Sequence, residues 1–409
     1  MTTEQFGVLR APHEVIFGNG QRRAIGRVAA RLGKRALVCT DARFGATGEM
    51  REILDLLAAA GVDAQVFDGT LAELPGECVL DCVAMSRDFA PQMLIGVGGG
   101  SCVDVAKLVS LLLSHGGELS DYYGELKVPG PVLPVIAVPT TSGTGSEMTP
   151  VAVLGDRGRD LKVGISSPYL IPHTAICDPE LTLTCPAGLT ALSGADALTH
   201  AIEAFTAVRH PVTPELSQSR VFVGKNLLSD QHALSAIRAL ATYLPRAVAH
   251  GDDLEARGMV MFGSAMAGLA FGVAGTAAAH AIQYPVGALT GTAHGLGVAA
   301  LLPYVMEFNA PACRAEMAQI GQAMGLAPGA DPVQAGEAAI VQVRELCNTI
   351  GIPRRLTELG VTEDKLGWIA EQSLLSARLV NNNPRKLDQQ AIAQIAENAY
   401  HGRSALFAG

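Results

Sequence analysis

His280 and His294 sit in a stretch that contains no Asp, Glu, Lys or Arg from Gly258 to Met306. Imidazoles placed among apolar residues need partners for their ring nitrogens. Earlier, "GADALTHAIEAF" sets Asp196 and His200 four residues apart, which on a helix puts both on one face. Taken alone, that pair also reads as a helix charge and a histidine in a buried hydrogen bond. Together, one carboxylate and three imidazoles make a ligand set for a divalent transition metal. Apolar surroundings keep water out and sharpen the Lewis acidity of such an ion. Asp196, His200, His280 and His294 are therefore the candidate metal-binding and catalytic residues.

Two glycine-rich stretches suggest a second chemistry. In "QMLIGVGGGS", Gly98, Gly99, Gly100 and Ser101 stand where a strand hands over to a helix. Backbone amides there, with the helix dipole, suit a pyrophosphate, although a plain tight turn has the same pattern. "PTTSGTGSE" again follows an apolar strand, and its Thr140, Thr141 and Thr144 offer hydroxyls and amides. Loops at strand ends of an open α/β sheet converge on one crevice, which points to a dinucleotide. Asp41 closes the strand "RALVCTD". A carboxylate there accepts from ribose hydroxyls and repels a 2′-phosphate, favouring NAD over NADP; capping the next helix is its rival role.

The elements that must carry these residues change character along the chain. Strand-like runs ("EVIFG", "RALVCTD", "AQVFDG", "VLPVIAVPTT") alternate with helical ones in the first part. That order predicts a Rossmann-like α/β domain, a parallel sheet covered by helices, over residues 1–185. From 186 to 409 the apolar spacing is helical almost throughout, predicting an all-α, metal-binding domain. "SQSRVFVGKNLLSDQ" reads as a loop between two helices.

Composition narrows the partners. The 409 residues carry a net charge of −9, which disfavours nucleic acid or anionic membrane. Eight cysteines without a CxxC pair read as reduced, buried thiols of a cytoplasmic protein. The charge-free run is long enough to span a bilayer. Its Pro285, Gln283, histidines and many small residues instead suit a helix buried among helices. The opening residues show no secretory leader. The abundance of small residues suggests close subunit packing, hence a homodimer or larger assembly.

The motifs "GVGGGSCVDVAK", "AVPTTSGTGSEMT", "CDPELTLTCP", "GADALTHAIEAF" and "GTAHGLGVAALLP" resemble, in order and over nearly the whole chain, the iron-containing (group III) alcohol dehydrogenase family. The resemblance implies a dehydroquinate synthase-like fold. It places the metal, iron(II) or alternatively zinc, on Asp196, His200, His280 and His294. It implies cofactor contacts from Asp41, Gly98 to Ser101, Asp104, Thr140, Thr141, Thr144 and Lys162. The chain departs from the pattern twice. Tyr284 replaces a histidine linked to proton transfer, and Leu74-Pro75 replaces an Asn-Pro that faces the cofactor. A phenol titrates near pH 10, which makes it a poor shuttle at neutral pH.

These readings lead to one expectation: NAD-dependent, metal-assisted hydride transfer between a small primary alcohol and its aldehyde. The alternative within the family is a hydroxyacid–oxoacid transhydrogenase or a hydroxyacid/semialdehyde reductase. It would want a cation for the substrate carboxylate, with Arg209 and Lys225 as candidates.

Overall fold

The computed structural model describes residues 5–156, 161–327, 331–404 and 406. Residues 1–4, part of the stretch read for a leader, lie outside that set. Two compact units emerge. One is Arg10–Cys185 with Ser217–Val221; the other is Met1–Leu9, Pro186–Leu216 and Phe222–Gly409.

The first unit contains strands β1 (Glu14–Phe17), β2 (Arg35–Cys39), β3 (Asp63–Phe67), β4 (Met93–Gly98), β5 (Gly124–Glu125), β6 (Val135–Pro139), β7 (Val151–Asp156), β8 (Leu161–Ser166) and β9 (Thr174–Cys177). Its helices are α1 (Ile25–Leu32), α2 (Ala42–Gly45), α3 (Gly48–Ala59), α4 (Gly76–Ser86) and α5 (Gly100–His115). Six strands form one parallel sheet in the order β1-β9-β6-β4-β2-β3. The α/β class expected from the alternation is what the chain adopts.

Successive residues of β2 divide between two cores, as a period of two requires. Leu37 and Cys39 join Val79, Val105 and Leu108 from α4 and α5. Ala36 and Val38 join Val28, Ile53 and Leu57 from α1 and α3. Both faces are thus covered, the usual condition of a parallel sheet. From β2 the chain moves outward to β3, and from β4 it moves the other way to β6. The switch point therefore lies between β2 and β4, where open α/β sheets bind ligands at their strand C-termini. A second sheet, β5-β8-β7, has β7 and β8 antiparallel and lies outside the strand–helix alternation of the sequence.

The second unit has no strand among its described residues. Its main helices are α6 (Ala187–Thr206), α8 (Leu227–Ala249), α9 (Leu254–Ala274), α10 (Ala278–Thr290), α11 (His294–Asn309), α12 (Arg314–Ala323), α13 (Pro332–Thr349), α14 (Leu366–Ser373), α15 (Ala377–Asn382) and α16 (Gln389–His401). A single turn, α7 (Leu216–Ser219), precedes α8. Helix α8 begins inside the segment read as a loop. Asn226 accepts from Leu228 and Ser229 amides, and the Ser229 hydroxyl accepts from the Asn226 amide, a reciprocal cap that starts the helix early. Helix α9 is long and apolar enough to cross a membrane, but it packs against α6 and α8 and most of it is buried. All eight cysteines are free and buried.

Candidate metal centre and nucleotide loops

Helix α6 carries Asp196 and His200 in its middle, both buried. His294 is the first residue of α11, and its neighbour Gly295 lies against α6. A β-carbon at Gly295 would lie 2.5 Å from the Leu192 carbonyl oxygen and 3.2 Å from Asp196 Cβ. Only glycine lets the start of α11 come so near, and this approach seats His294 beside Asp196. His280 lies in the first turn of α10. One ligand atom each from Asp196, His280 and His294 falls within 4.8 Å of the other two.

His280 Nε2 is 3.7 Å and His200 Nε2 3.6 Å from Asp196 Oδ1. Two donors bound tetrahedrally about 2.1 Å from one ion stand roughly 3.4 Å apart, so these separations suit a shared cation. His200 lies outside the compact trio. It joins through Asp196 and by stacking on the His280 ring at 4.8 Å; it also stacks on Phe271 at 4.1 Å. His280 Nε2 is buried and has no hydrogen-bond partner among the described residues. Such an orphan is rare unless an ion or ligand completes it.

Sequence reasoning passed over Glu203. Its carboxylate, buried on α6, accepts from the His280 ring at Nδ1 (2.6 Å) and from the amides of Ala277 (2.8 Å) and Ala279 (2.6 Å). Tyr284, one turn beyond His280, is half-buried and stacks on the His294 ring at 5.9 Å. Lys225 and Arg209 do not stand ready for a substrate carboxylate. Asp230 accepts from Lys225 Nζ at 2.6 Å and from Arg209 at 3.0 Å. Burial depresses the Lys225 ammonium, and Asp230 partly restores it.

In the α/β unit the two glycine loops meet. The Thr140 amide donates to the Gly98 carbonyl at 2.8 Å. A β-carbon at Gly100 would lie 2.6 Å from Thr144 Cγ2, so glycine is what allows Thr144 to pack there. Gly99 supplies no side-chain cap to α5, which leaves first-turn amides and the positive dipole end for an anion. The buried hydroxyls of Thr40, Thr140 and Ser142 have no hydrogen-bond partner among the described residues. They follow the C-terminal ends of β2 and β6, on the side where β4 ends in Gly98.

Of the two roles considered for it, Asp41 takes that of the helix cap. Its Oδ1 caps α2 by accepting from the Phe44 amide at 2.9 Å, and Oδ2 lies 3.8 Å from Cys102 Sγ. Burial, then the Asp41 charge, pushes the Cys102 thiol up to about 12. Asp104 turns inward, accepting from the Ser146 hydroxyl and from the Val153 amide at 3.0 Å. Lys162 pairs with Glu73. Glu73 and Leu74 are consecutive non-glycine residues in left-handed backbone, φ 63° and 42°, docked on β7 through the Gly155 amide and Leu74 carbonyl at 2.9 Å. Each such residue costs about 1–2 kcal/mol, so the contacts around this turn hold it against strain. Neither Asp104 nor Lys162 could have been placed from sequence, because their partners are distant along the chain.

Comparison with known proteins agrees with both halves. A profile of the iron-containing alcohol dehydrogenase family matches residues 12–179, and one for the C-terminal part of the Fe-containing alcohol dehydrogenase family matches 190–400. The NAD-dependent methanol dehydrogenase of Bacillus methanolicus is 34% identical over 390 residues, covering 95% of this chain and 98% of that protein. A crystal structure of 1,3-propanediol oxidoreductase superposes with a TM-score of 0.90 at 34% identity, over 97% of this chain and all of the other. The sulfoacetaldehyde reductase of Bifidobacterium kashiwanohense, solved in complex with NAD+, gives 0.83 at 27% identity, covering 97% of this chain and 99% of that one.

Proposed function

Because the chain belongs to the iron-containing alcohol dehydrogenase family, we propose that it is an NAD-dependent, metal-assisted dehydrogenase interconverting a small primary alcohol and its aldehyde. The observation that carries this reading is His280 Nε2. It is buried, lacks a hydrogen-bond partner among the described residues, and stands 3.7 Å from Asp196 Oδ1.

Asp196, His200, His280 and His294 would hold the ion; three nitrogens and one oxygen suit iron(II), with zinc as the alternative. When bound, the metal supplies Lewis-acid polarisation of a substrate oxygen, and the nicotinamide accepts or donates the hydride. The chain's residues do the rest. Phe271, stacked on His200, keeps that side of the cluster dry. Tyr284, whose ring stacks on His294, is the side chain we assign to the proton path. Gly98 to Ser101 and Thr140, Thr141 and Thr144 would cradle the pyrophosphate. Asp41 would favour NAD over its 2′-phosphorylated form. Asp104 and Lys162 complete the proposed nucleotide set, acting through the loops that their own partners hold. The reduced, buried thiols support a cytoplasmic location. A homodimer or larger assembly is proposed from the small-residue content.

The transhydrogenase alternative is less well supported, since Arg209 and Lys225 are both engaged by Asp230. The test is a panel of primary alcohols, diols, hydroxyacids and aldehydes, followed by NADH absorbance, on iron- and zinc-loaded protein with NAD(H) and NADP(H). Alcohol oxidation that needs metal and free NAD supports the reading. Full turnover by metal-stripped protein overturns it, and turnover without free NAD selects the transhydrogenase.

A further inference from the structure

We propose that Glu203 is a positioning residue for the metal centre, holding His280 in the one tautomer able to coordinate; this rests on the metal reading above. Glu203 is 2% exposed, and three donors converge on it. Oε2 accepts from His280 Nδ1 and the Ala277 amide, and Oε1 from the Ala279 amide. An ionised carboxylate only accepts. Against such a carboxylate a neutral His280 ring carries its proton on Nδ1, and Nε2 keeps a lone pair on the side of Asp196. Partners of this kind orient metal-binding imidazoles and raise their basicity.

The same carboxylate also begins the helix that carries the histidine. Ala277, at the N-cap of α10, has no side chain to cap it. Glu203 satisfies the amides of Ala277 and Ala279 from α6 instead. Ring tautomer, ring orientation and the first turn of α10 thus depend on one group. Asp196, His200 and Glu203 stand at i, i+4 and i+7 of α6, so this group shares a helix face with two ligands.

A glutamine is nearly isosteric but accepts through one atom only. With its oxygen in the Oε2 position, its NH2 faces the Ala279 amide. With the orientation reversed, NH2 faces His280 Nδ1, which favours the tautomer whose Nε2 proton points into the metal site. Either orientation penalises the native arrangement.

The experiment titrates Co(II) into metal-free wild type, Glu203→Gln and Glu203→Asp, reading ligand-field absorption, with melting of the metal-free proteins followed in parallel. Roughly 10–100-fold weaker Co(II) binding by Glu203→Gln, with a changed spectrum and partial recovery in Glu203→Asp, supports the proposal. Wild-type affinity and spectrum in Glu203→Gln overturn it even if that variant melts earlier, because a helix cap alone explains the melting. If Glu203→Gln does not fold, the 15N shifts of His280 in metal-free wild type decide: a proton on Nδ1 supports the proposal and a proton on Nε2 overturns it. Wild-type protein that takes up no Co(II) refutes the metal reading, and this inference falls with it.

Discussion

Both units bury charged side chains, and they put them to opposite uses. In the α/β unit, Asp104 accepts from Ser146 and Val153, while Lys107 Nζ donates to the Thr149 and Val151 carbonyls at 2.9 and 2.8 Å. These charges tie the unit's own loops to its sheet, and the loops proposed to hold the nucleotide present backbone amides and small hydroxyls. In the helical unit, Glu203 takes up one nitrogen of His280 and the other is left over, aimed at Asp196. Burial of a charge therefore does not mark a site. A buried atom left incomplete, next to others of coordinating type, does.

The sharpest way to break this contrast is His280→Ala. It should strip the metal and lower alcohol oxidation by more than about 100-fold, while NADH binding, read by fluorescence, persists. Loss of nucleotide binding as well would show that the two sites are not separable in this way.

Glu147 tests the structural half of the comparison. Burial pushes its carboxyl up to about 7, and burial depresses neighbouring Lys107 to about 8. Between pH 4.5, the carboxyl's ordinary value, and about 7, the folded protein holds a proton that the unfolded chain has released. Stability from Glu147 is thus full below that window and is lost as pH rises through it. Lys107 has the opposite sign, its contribution being lost as pH falls from 10.5 to about 8. Glu147→Gln should remove the acid-side fall, a difference on the order of 3 kcal/mol in denaturant melts, with metal content unchanged. Parallel wild-type and variant curves from pH 4.5 to 7 would contradict it.

Gly100→Val should do the reverse of His280→Ala. Its side chain would meet Thr144, cost about 1–3 kcal/mol, and weaken NADH binding while metal content stays whole. Metal analysis showing loss of the ion would blur the distinction. The smallest effect is expected of Asp41→Ala. Loss of the Phe44 cap should cost about 1 kcal/mol, and discrimination between NAD and NADP should narrow in steady-state kinetics. A variant that still rejects NADP as wild type does would remove Asp41 from cofactor selection.

The α/β unit was legible because each short apolar run ended in turn residues, and because Gly98 to Ser101 announced a strand giving way to a helix. The quartet Asp196, His200, His280 and His294 stood out as polar residues in apolar helices. Glu203 carried the same signal, seven residues after Asp196 on one face, but a glutamate in a helix is so ordinary that only its three donors reveal it. The start of α8 lay in Asn226 and Ser229, a cap hidden by neighbouring residues that suit a loop. The pairing of Glu73 with Lys162 had no local trace, since nothing near either residue specifies the other. Nor did the β5-β8-β7 sheet, whose short strands depend on pairing across the chain.

Among the described residues strand β1 pairs only with β9, the last strand of its unit to be synthesised. Val15 and Phe17 are 45% and 42% exposed in the finished protein, and during translation the ladder partners of β1, Thr174–Cys177, leave the ribosome after every other strand of this sheet. Strands β6, β4, β2 and β3 can assemble first, and β1 must wait for β9. Pulsed hydrogen exchange during refolding should find β1 amides among the last of the sheet to gain protection.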